Sequence, residues 1–148
     1  MPKLFNTPFE AGLRAMLILH SSDSQGMTFD RIAAYDFITL YGHDFAVSQT
    51  NLHGMNPFNF SELSAKRAAC SEGIKSFVLD GLIAVTQTQK GFLYSITPIG
   101  RKYVQNLESD YKLQYLSIFK AVQKKYGSVS DTELIKTINN AGITALRR

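Results

Sequence analysis

The sequence predicts a mainly helical fold, a winged helix-turn-helix with one β-hairpin as its wing and a C-terminal helical extension. The hairpin is predicted by the segment GLIAVTQTQKGFLYSIT, residues 81–97. Within it, residues 82–88 and 92–97 are rich in β-branched and aromatic side chains, and a polar stretch ending in Gly91 separates them. This pattern is typical of a hairpin because Gly adopts the positive φ of a tight turn. Helical patterns on both sides give the order helix, helix, helix, hairpin, helix, helix, which is the order of a winged helix with an extension.

Three helices are predicted before the hairpin. The first is expected to begin after Thr7, an N-cap followed by Pro8 and, at capping-box spacing, by Glu10. The second should span residues 29–41 and end at Gly42. The third leads directly into the hairpin. The apolar residues expected to face the core are Phe5, Phe9, Leu13, Met16, Leu17, Ile32, Ala33, Phe37, Leu40, Leu63, Cys70, Ile74, Phe77 and Val78.

Two helices and a short amphipathic segment are predicted after the hairpin. They span residues 98–107, 110–126 and 131–139, and a proline opens the first of them, where its missing N–H costs nothing. We therefore expect a winged-helix domain over residues 1–108 and a helical extension over residues 109–148.

An irregular stretch, residues 42–60, separates the second and third predicted helices. A loop this long in a compact domain is often functional. Its larger apolar side chains would be costly to leave in water. They are Phe45, Leu52, Met55, Phe58 and Phe60.

Composition bounds the class of protein. The 148 residues are 45% hydrophobic and 19% charged, which is enough apolar content for a folded domain and too much for a disordered chain. No run approaches the roughly 20 apolar residues of a membrane span, and the first residues lack the apolar core of a secretory signal. Cys70 is the only cysteine, which excludes an internal disulfide. We expect a cytoplasmic protein.

Positive charge is concentrated after residue 80. Residues 1–80 hold six Lys/Arg and eight Asp/Glu, whereas residues 81–148 hold ten Lys/Arg and four Asp/Glu. The net charges of the two parts, −2 and +6, sum to the formal net charge of +4 for the whole sequence. A basic half fits nucleic acid, an acidic protein surface, or a solvated face with no partner.

The residues that could carry chemistry do not form a catalytic set. His43 and Asp44 could belong to a metal site, but His20 and His53 do not stand at ligand spacings. Cys70 lies on an apolar helix face without an adjacent base. The sequence also lacks the glycine-rich phosphate loops G-x-x-x-x-G-K-[ST] and G-x-G-x-x-G. We therefore expect no enzymatic activity, no metal, no cofactor and no small-molecule ligand.

DNA binding would require cations on the third helix, the element that enters the major groove in helix-turn-helix proteins. Lys66, Arg67 and Lys75 lie there, but three carboxylates on the same helix cancel their charge. A neutral helix lacks the electrostatic drive for phosphate contact. Non-specific contact with a DNA backbone is an alternative at these residues and at a second set of cations. That second set is Arg101, Lys102, Lys112, Lys120, Lys124 and Lys125.

Two segments resemble the middle component of bacterial ABC-three-component systems. The first, FNTPFEAGLRAMLIL (residues 5–19), matches the pattern F-N-x-P-F-E-x-G-L-R. The second, FDRIAAYDFITLYGHDF (residues 29–45), matches a further pattern of that family more loosely, at Asp36 and at the residues from Tyr41 to Asp44. The resemblance covers residues 5–126.

The resemblance implies a small non-enzymatic subunit encoded between an ABC- or SMC-type ATPase and an effector. Such systems include the Lamassu type of anti-phage and anti-plasmid defence, and the subunit would bridge the ATPase and the effector. By analogy with winged-helix subunits of SMC complexes, the wing and the first helix would bind protein, with Arg14 pairing either with Glu10 or with a partner. The alternative is a winged-helix DNA-binding transcription regulator. The protein-binding residues implied are Phe5, Asn6, Glu10, Arg14 and Lys90, with Phe92 and Tyr94, or else Leu93, facing out of the wing.

Overall fold

The computed structural model describes residues 7–22, 26–52 and 60–146. In these ranges there are six helices and one two-stranded antiparallel sheet. The predicted combination of a mainly helical chain with a small hairpin is confirmed. The elements are α1 Pro8–Ser21, α2 Phe29–Leu40, α3 Phe60–Leu79, β1 Ile83–Thr88, β2 Gly91–Ile96, α4 Pro98–Asn106, α5 Asp110–Tyr126 and α6 Asp131–Leu146.

Hydroxyl side chains mark the N-termini of several helices. The Thr7 Oγ1 atom accepts a hydrogen bond from the Glu10 backbone N–H at 3.2 Å, which confirms the predicted start of α1. The Thr97 Oγ1 atom does the same at α4, accepting from Gly100 at 3.0 Å. Among the described helices, none combines the length and apolarity that crossing a bilayer requires.

Three predicted helix ends differ from the observed ones. Helices α2 and α4 each end one residue before the predicted end, with Tyr41 and Leu107 as their C-caps. Helix α6 continues from the predicted end at Asn139 to Leu146. The partly buried Ala141 packs on the core there, and such tertiary contact overrides the weak helix propensity of the preceding asparagines.

The hairpin forms at the predicted position. Residue pairs run from Ile83↔Ile96 at its base to Thr88↔Gly91 at its tip, and the φ of Gly91 is +101°. An additional contact joins the hairpin to the segment between α1 and α2. There Met27 exchanges two backbone hydrogen bonds with Tyr94, at 2.8 and 2.7 Å. The second strand is therefore paired on both of its edges.

Helix α2 is the centre of the core. Every residue from 32 to 40 is buried, and α1, α3, α5 and α6 all pack on this helix. The side chains of Tyr115 and Phe119 on α5 and Leu134 on α6 belong to the same buried cluster. The division of the chain at residue 108 stays a prediction.

Candidate protein interaction surface

An apolar groove lies between the C-terminal part of α3 and one face of the hairpin. Its volume is about 400 Å³. Three large apolar side chains are left in water along it, with exposed fractions of 86% for Leu79, 55% for Phe92 and 42% for Val85. Grouped apolar exposure of this kind is typical of a binding surface, since each side chain would gain free energy on burial. The groove is lined by Lys75, Val78, Leu79, Val85, Phe92 and Tyr94.

Strand alternation decides which hairpin residues face the groove. Phe92 and Tyr94 lie on the same face as Ile96, whose partner Ile83 is buried in the core at the base of the hairpin. Leu93 points to the opposite face, where its Cβ lies 3.1 Å from the position that a Cβ on Gly26 would take. Of the two alternatives left open by the sequence, Phe92 and Tyr94 line the groove, and Phe92 is the more exposed.

The base and tip of the hairpin are both fixed. At the base, the Thr97 hydroxyl donates to the Gly81 carbonyl at 2.8 Å. A Cβ on Gly100 would lie 2.1 Å from the carbonyl oxygen of Leu82, so the start of α4 can approach this closely only at a glycine. At the tip, the Thr88 Oγ1 atom accepts from the backbone N–H of Lys90 at 3.1 Å, and the Lys90 side chain is exposed. The hairpin is therefore a firmly held wall of the groove.

Arg14 is a core residue, and the expectation that it would pair with Glu10 or a partner is corrected. Its Nε atom lies 2.8 Å from the Asp36 Oδ1 atom, with both side chains almost fully buried. The Tyr115 hydroxyl donates to the same Oδ1 atom at 2.5 Å. Burial opposes the charged guanidinium, but the charge and hydrogen bonds of Asp36 outweigh it and raise the pKa of Arg14. A side chain enclosed in this way presents no surface to a partner.

Two other residues of the N-terminal motif, Glu10 and Gly12, have structural roles. Glu10 supplies the backbone N–H that Thr7 caps. A Cβ on Gly12 would lie 3.0 Å from the Gly73 carbonyl oxygen, so this glycine permits α1 and α3 to cross closely. Phe9, expected in the core, is 55% exposed. The predicted contacts Phe5 and Asn6 lie outside the described residues.

The three cations of α3 have different surroundings. Lys66, predicted to contact a DNA backbone, is only 7% exposed, and burial followed by the charge of Arg14 lowers its pKa. This placement corrects the prediction, since a buried ammonium cannot reach a phosphate. Arg67 pairs with Asp30 at 2.9 Å. Lys75 is exposed and lines the groove.

The basic residues of α4 and α5 also divide into bound and exposed ones. The Lys112 ammonium donates to the Val104 and Leu107 carbonyls at 2.7 and 2.9 Å, so it caps the end of α4. The Lys125 ammonium donates to the Phe45 carbonyl at 2.7 Å. Arg101 is exposed, and its Nη1 atom lies 3.4 Å from the His20 Nδ1 atom. The remaining predicted contacts to DNA on these helices are exposed, namely Lys102, Lys120 and Lys124.

The residues considered for chemistry are separated in the fold. Cys70 is 1% exposed, and burial raises the pKa of its thiol. His43 is exposed, and its backbone N–H donates to the Asn51 side chain at 2.9 Å. In the described part of the chain, no group of three or more His, Cys, Asp or Glu residues could hold a metal ion. The lack of enzymatic activity stays a prediction.

The irregular stretch after α2 is partly packed. Phe45 is buried with its ring centroid 6.4 Å from that of Phe37, and Leu52 packs on the core. The predicted apolar residues Met55 and Phe58, and the side chain of Phe60, lie outside what the structure describes. The stretch therefore contributes to the core at its beginning.

These features define a small, mainly helical protein that exposes an apolar groove beside a two-stranded hairpin. The chain belongs to the ABC-three component (ABC-3C) system Middle Component 2 family, whose model matches residues 4–148. The resemblance to a middle component is confirmed, and the match extends beyond residue 126 into α6. Membership implies partner components in the same multi-subunit system. No curated protein and no solved structure matches the chain.

Proposed function

We propose that this protein is a non-enzymatic subunit of its three-component system and that its groove binds the ATPase component. The observation that carries the proposal is the exposure of Leu79, Val85 and Phe92 on firmly held elements. Aromatic side chains such as Phe92 are enriched at the buried core of protein interfaces, and a few anchor residues carry most of the binding free energy. Family membership supports the partner, since a middle component works together with other components.

Within the mainly helical class, the specific fold that we propose is a winged helix. The order of three helices followed by a hairpin supports it. The contact of Met27 with Tyr94 adds to this support, because it places a minimal third strand between α1 and α2 and pairs it with the second hairpin strand. In this assignment α3 and the hairpin are the helix and wing that such domains present to their ligands.

The proposed setting is Lamassu-type anti-phage or anti-plasmid defence, with an SMC-like or ABC-type ATPase and a toxic effector as partners in the cytoplasm. A subunit that bridges two partners needs a second surface. Helix α5 offers one, since Leu113, Lys120 and Lys124 are exposed on it. Their spacing of seven and four residues places them along one side of the helix. This side would contact the effector or the backbone of DNA held by the ATPase.

A DNA-binding transcription regulator is less well supported. Reading a sequence needs side chains of the recognition helix at base edges, together with cations near phosphates. Of the three cations on α3, Lys66 is buried and Arg67 pairs with Asp30, whereas Lys75 is exposed. The exposed face of α3 therefore resembles a protein-binding surface more than a surface that recognises bases in the major groove of DNA.

Co-purification with the ATPase and effector components tests the proposal. The unmodified protein is expected to co-purify with the ATPase, and Leu79→Asp and Phe92→Asp are expected to abolish this. Ile99→Asp is the matched control, because Ile99 is similarly exposed (66%) but lies on α4, outside both proposed surfaces. Assembly of both groove variants at the unmodified level would place the interface elsewhere. Failure of the unmodified protein to assemble, together with salt-sensitive preference for one DNA sequence, would favour the regulator.

A further inference from the structure

The first hairpin strand, β1, has a free edge. The backbone N–H of Thr97 donates to the Leu82 carbonyl, so the opposed residues 82 and 97 form a hydrogen-bonded pair. Such pairs alternate along an antiparallel ladder. Val85 and Gln87 therefore direct their backbone groups away from β2. In agreement, Tyr94 opposite Val85 directs its own N–H and C=O to Met27. Within the described ranges, no hydrogen bond to the outward groups of Val85 or Gln87 is formed.

The free edge lacks the usual protection against pairing with other strands. Natural edge strands carry charges, prolines or bulges, or are covered by another element. The strand IAVTQT contains neither a charged residue nor proline, and its register with β2 is continuous from Ile83 to Thr88. Val85, Thr86 and Gln87 are all exposed. An edge left open in this way is suited to accept a strand from another chain.

The free edge and the apolar groove are neighbouring features. The Val85 side chain lines the groove while its backbone groups face the free edge. A strand added beside β1 would direct every second side chain to the same face, toward Leu79 of α3. Backbone hydrogen bonds would then provide affinity and the groove would select side chains, which is how strand addition works in other recognition domains.

Charge indicates one further property of the added strand. Lys90 occupies the hairpin turn, and Lys75 lies one helical turn before Leu79 and lines the groove. Both cations are exposed. A carboxylate on the added strand would complement either of these cations.

We propose that the partner of the groove binds as an extended segment that pairs with the free edge of β1. This segment alternates apolar residues toward the groove and carries an acidic residue near Lys75 or near Lys90. The inference rests on the proposed function, because it specifies how the ATPase component is bound.

The test compares Gln87→Pro with Gln87→Ala in equilibrium binding to the ATPase component. Proline removes the outward N–H of residue 87, whereas alanine keeps it. Because that N–H does not bond to β2, both variants should fold, which circular dichroism and the unfolding midpoint check. We expect Gln87→Pro to bind about tenfold more weakly than Gln87→Ala, the usual effect of one lost hydrogen bond.

Amide hydrogen exchange in the complex provides the second readout. The Val85 and Gln87 amides are expected to exchange at least tenfold more slowly when the ATPase component is bound. Equal affinities of the two variants, or unchanged exchange at both amides in a stable complex, would overturn strand addition and leave the proposed function standing. Failure of the unmodified protein to bind at all would overturn both.

Discussion

At the residue scale, the Arg14–Asp36 pair joins α1 to α2 inside the core, and the Tyr115 hydroxyl joins α5 to the same carboxylate. Both charged residues belong to segments that resemble the middle-component family. Their role in the structure is to fix the arrangement of three helices. A buried pair of this kind adds little net stability compared with apolar residues, but breaking it leaves an uncompensated charge.

Arg14→Met is therefore expected to lower the free energy of unfolding by about 3 to 5 kcal/mol, because it leaves the Asp36 carboxylate buried without its cation. The double variant Arg14→Met with Asp36→Leu should lose less than the single variant. Urea unfolding measures both. Arg101→Met at an exposed position is the control, with a change within about 0.5 kcal/mol. A double variant less stable than Arg14→Met would contradict the account.

A second residue-scale prediction concerns alkaline pH. Burial and the charge of Asp36 raise the pKa of the Tyr115 hydroxyl well above its ordinary value, and burial raises that of the Cys70 thiol. A raised pKa in the folded state stabilises the fold below the unfolded-state pKa, near 9 for Cys and 10 for Tyr. This stability is lost as the pH rises toward the folded-state value. The free energy of unfolding should therefore fall above pH 9, by up to about 1.4 kcal/mol per pH unit for each group.

Tyr115→Phe removes one of these groups and should make the alkaline decline less steep, as followed by urea unfolding at several pH values. The exposed Tyr103→Phe variant serves as the control. An equally steep decline in Tyr115→Phe and the unmodified protein would show that Tyr115 does not cause it.

At the element scale, the crossing of α1 and α3 depends on two facing glycines. A Cβ on Gly73 would lie 2.2 Å from the Pro8 carbonyl oxygen and 2.6 Å from the Gly12 backbone nitrogen. Both neighbours are backbone atoms and cannot rotate away. Glycine has a lower helix propensity than alanine, so Gly73 is unfavourable for α3 taken alone. The close approach of α1 and α3 explains why glycine is needed at this position.

Gly73→Ala should therefore destabilise the protein by about 1 to 3 kcal/mol through overpacking. In an open helix the same change would stabilise it by about 1 kcal/mol. Thermal or urea unfolding shows whether Gly73→Ala lowers or raises the free energy of unfolding. Ser76→Ala, at an exposed position of the same helix, is the control and should change stability little. A more stable Gly73→Ala variant would show that α1 and α3 do not cross as described.

Elements with local signals could be predicted from the sequence. Thr7 caps α1 as predicted, α5 spans the predicted residues 110–126, and Gly91 lies at the predicted hairpin turn. Contacts between distant positions could not be predicted in this way. Arg14 and Asp36 are 22 residues apart, and their pairing depends on how two helices pack. The groove is an intermediate case, because alternation places Phe92 and Tyr94 together but only the position of α3 decides which hairpin face borders the groove.

At the scale of the whole molecule, several exposed cations lie on elements that do not form the groove, although Lys75 and Lys90 lie beside it. The groove is formed by α3 and the hairpin, whereas the exposed cations Lys102, Lys120 and Lys124 lie on α4 and α5. The positive balance of residues 81–148 is thus placed mainly on helices that follow the hairpin. Binding through the groove should depend on apolar burial, whereas binding through α5 should weaken as salt screens the charges.

Calorimetric titration of the ATPase component, at low and at moderate salt, tests the central claim that the groove is the principal interface. The account predicts that Phe92→Ala weakens binding about tenfold or more, as expected of an interface anchor. It also predicts that Leu113→Ala has little effect and that salt changes the affinity only slightly. Unchanged affinity in Phe92→Ala, together with a steep loss of binding as salt rises, would contradict the account and assign the interface to the basic helices.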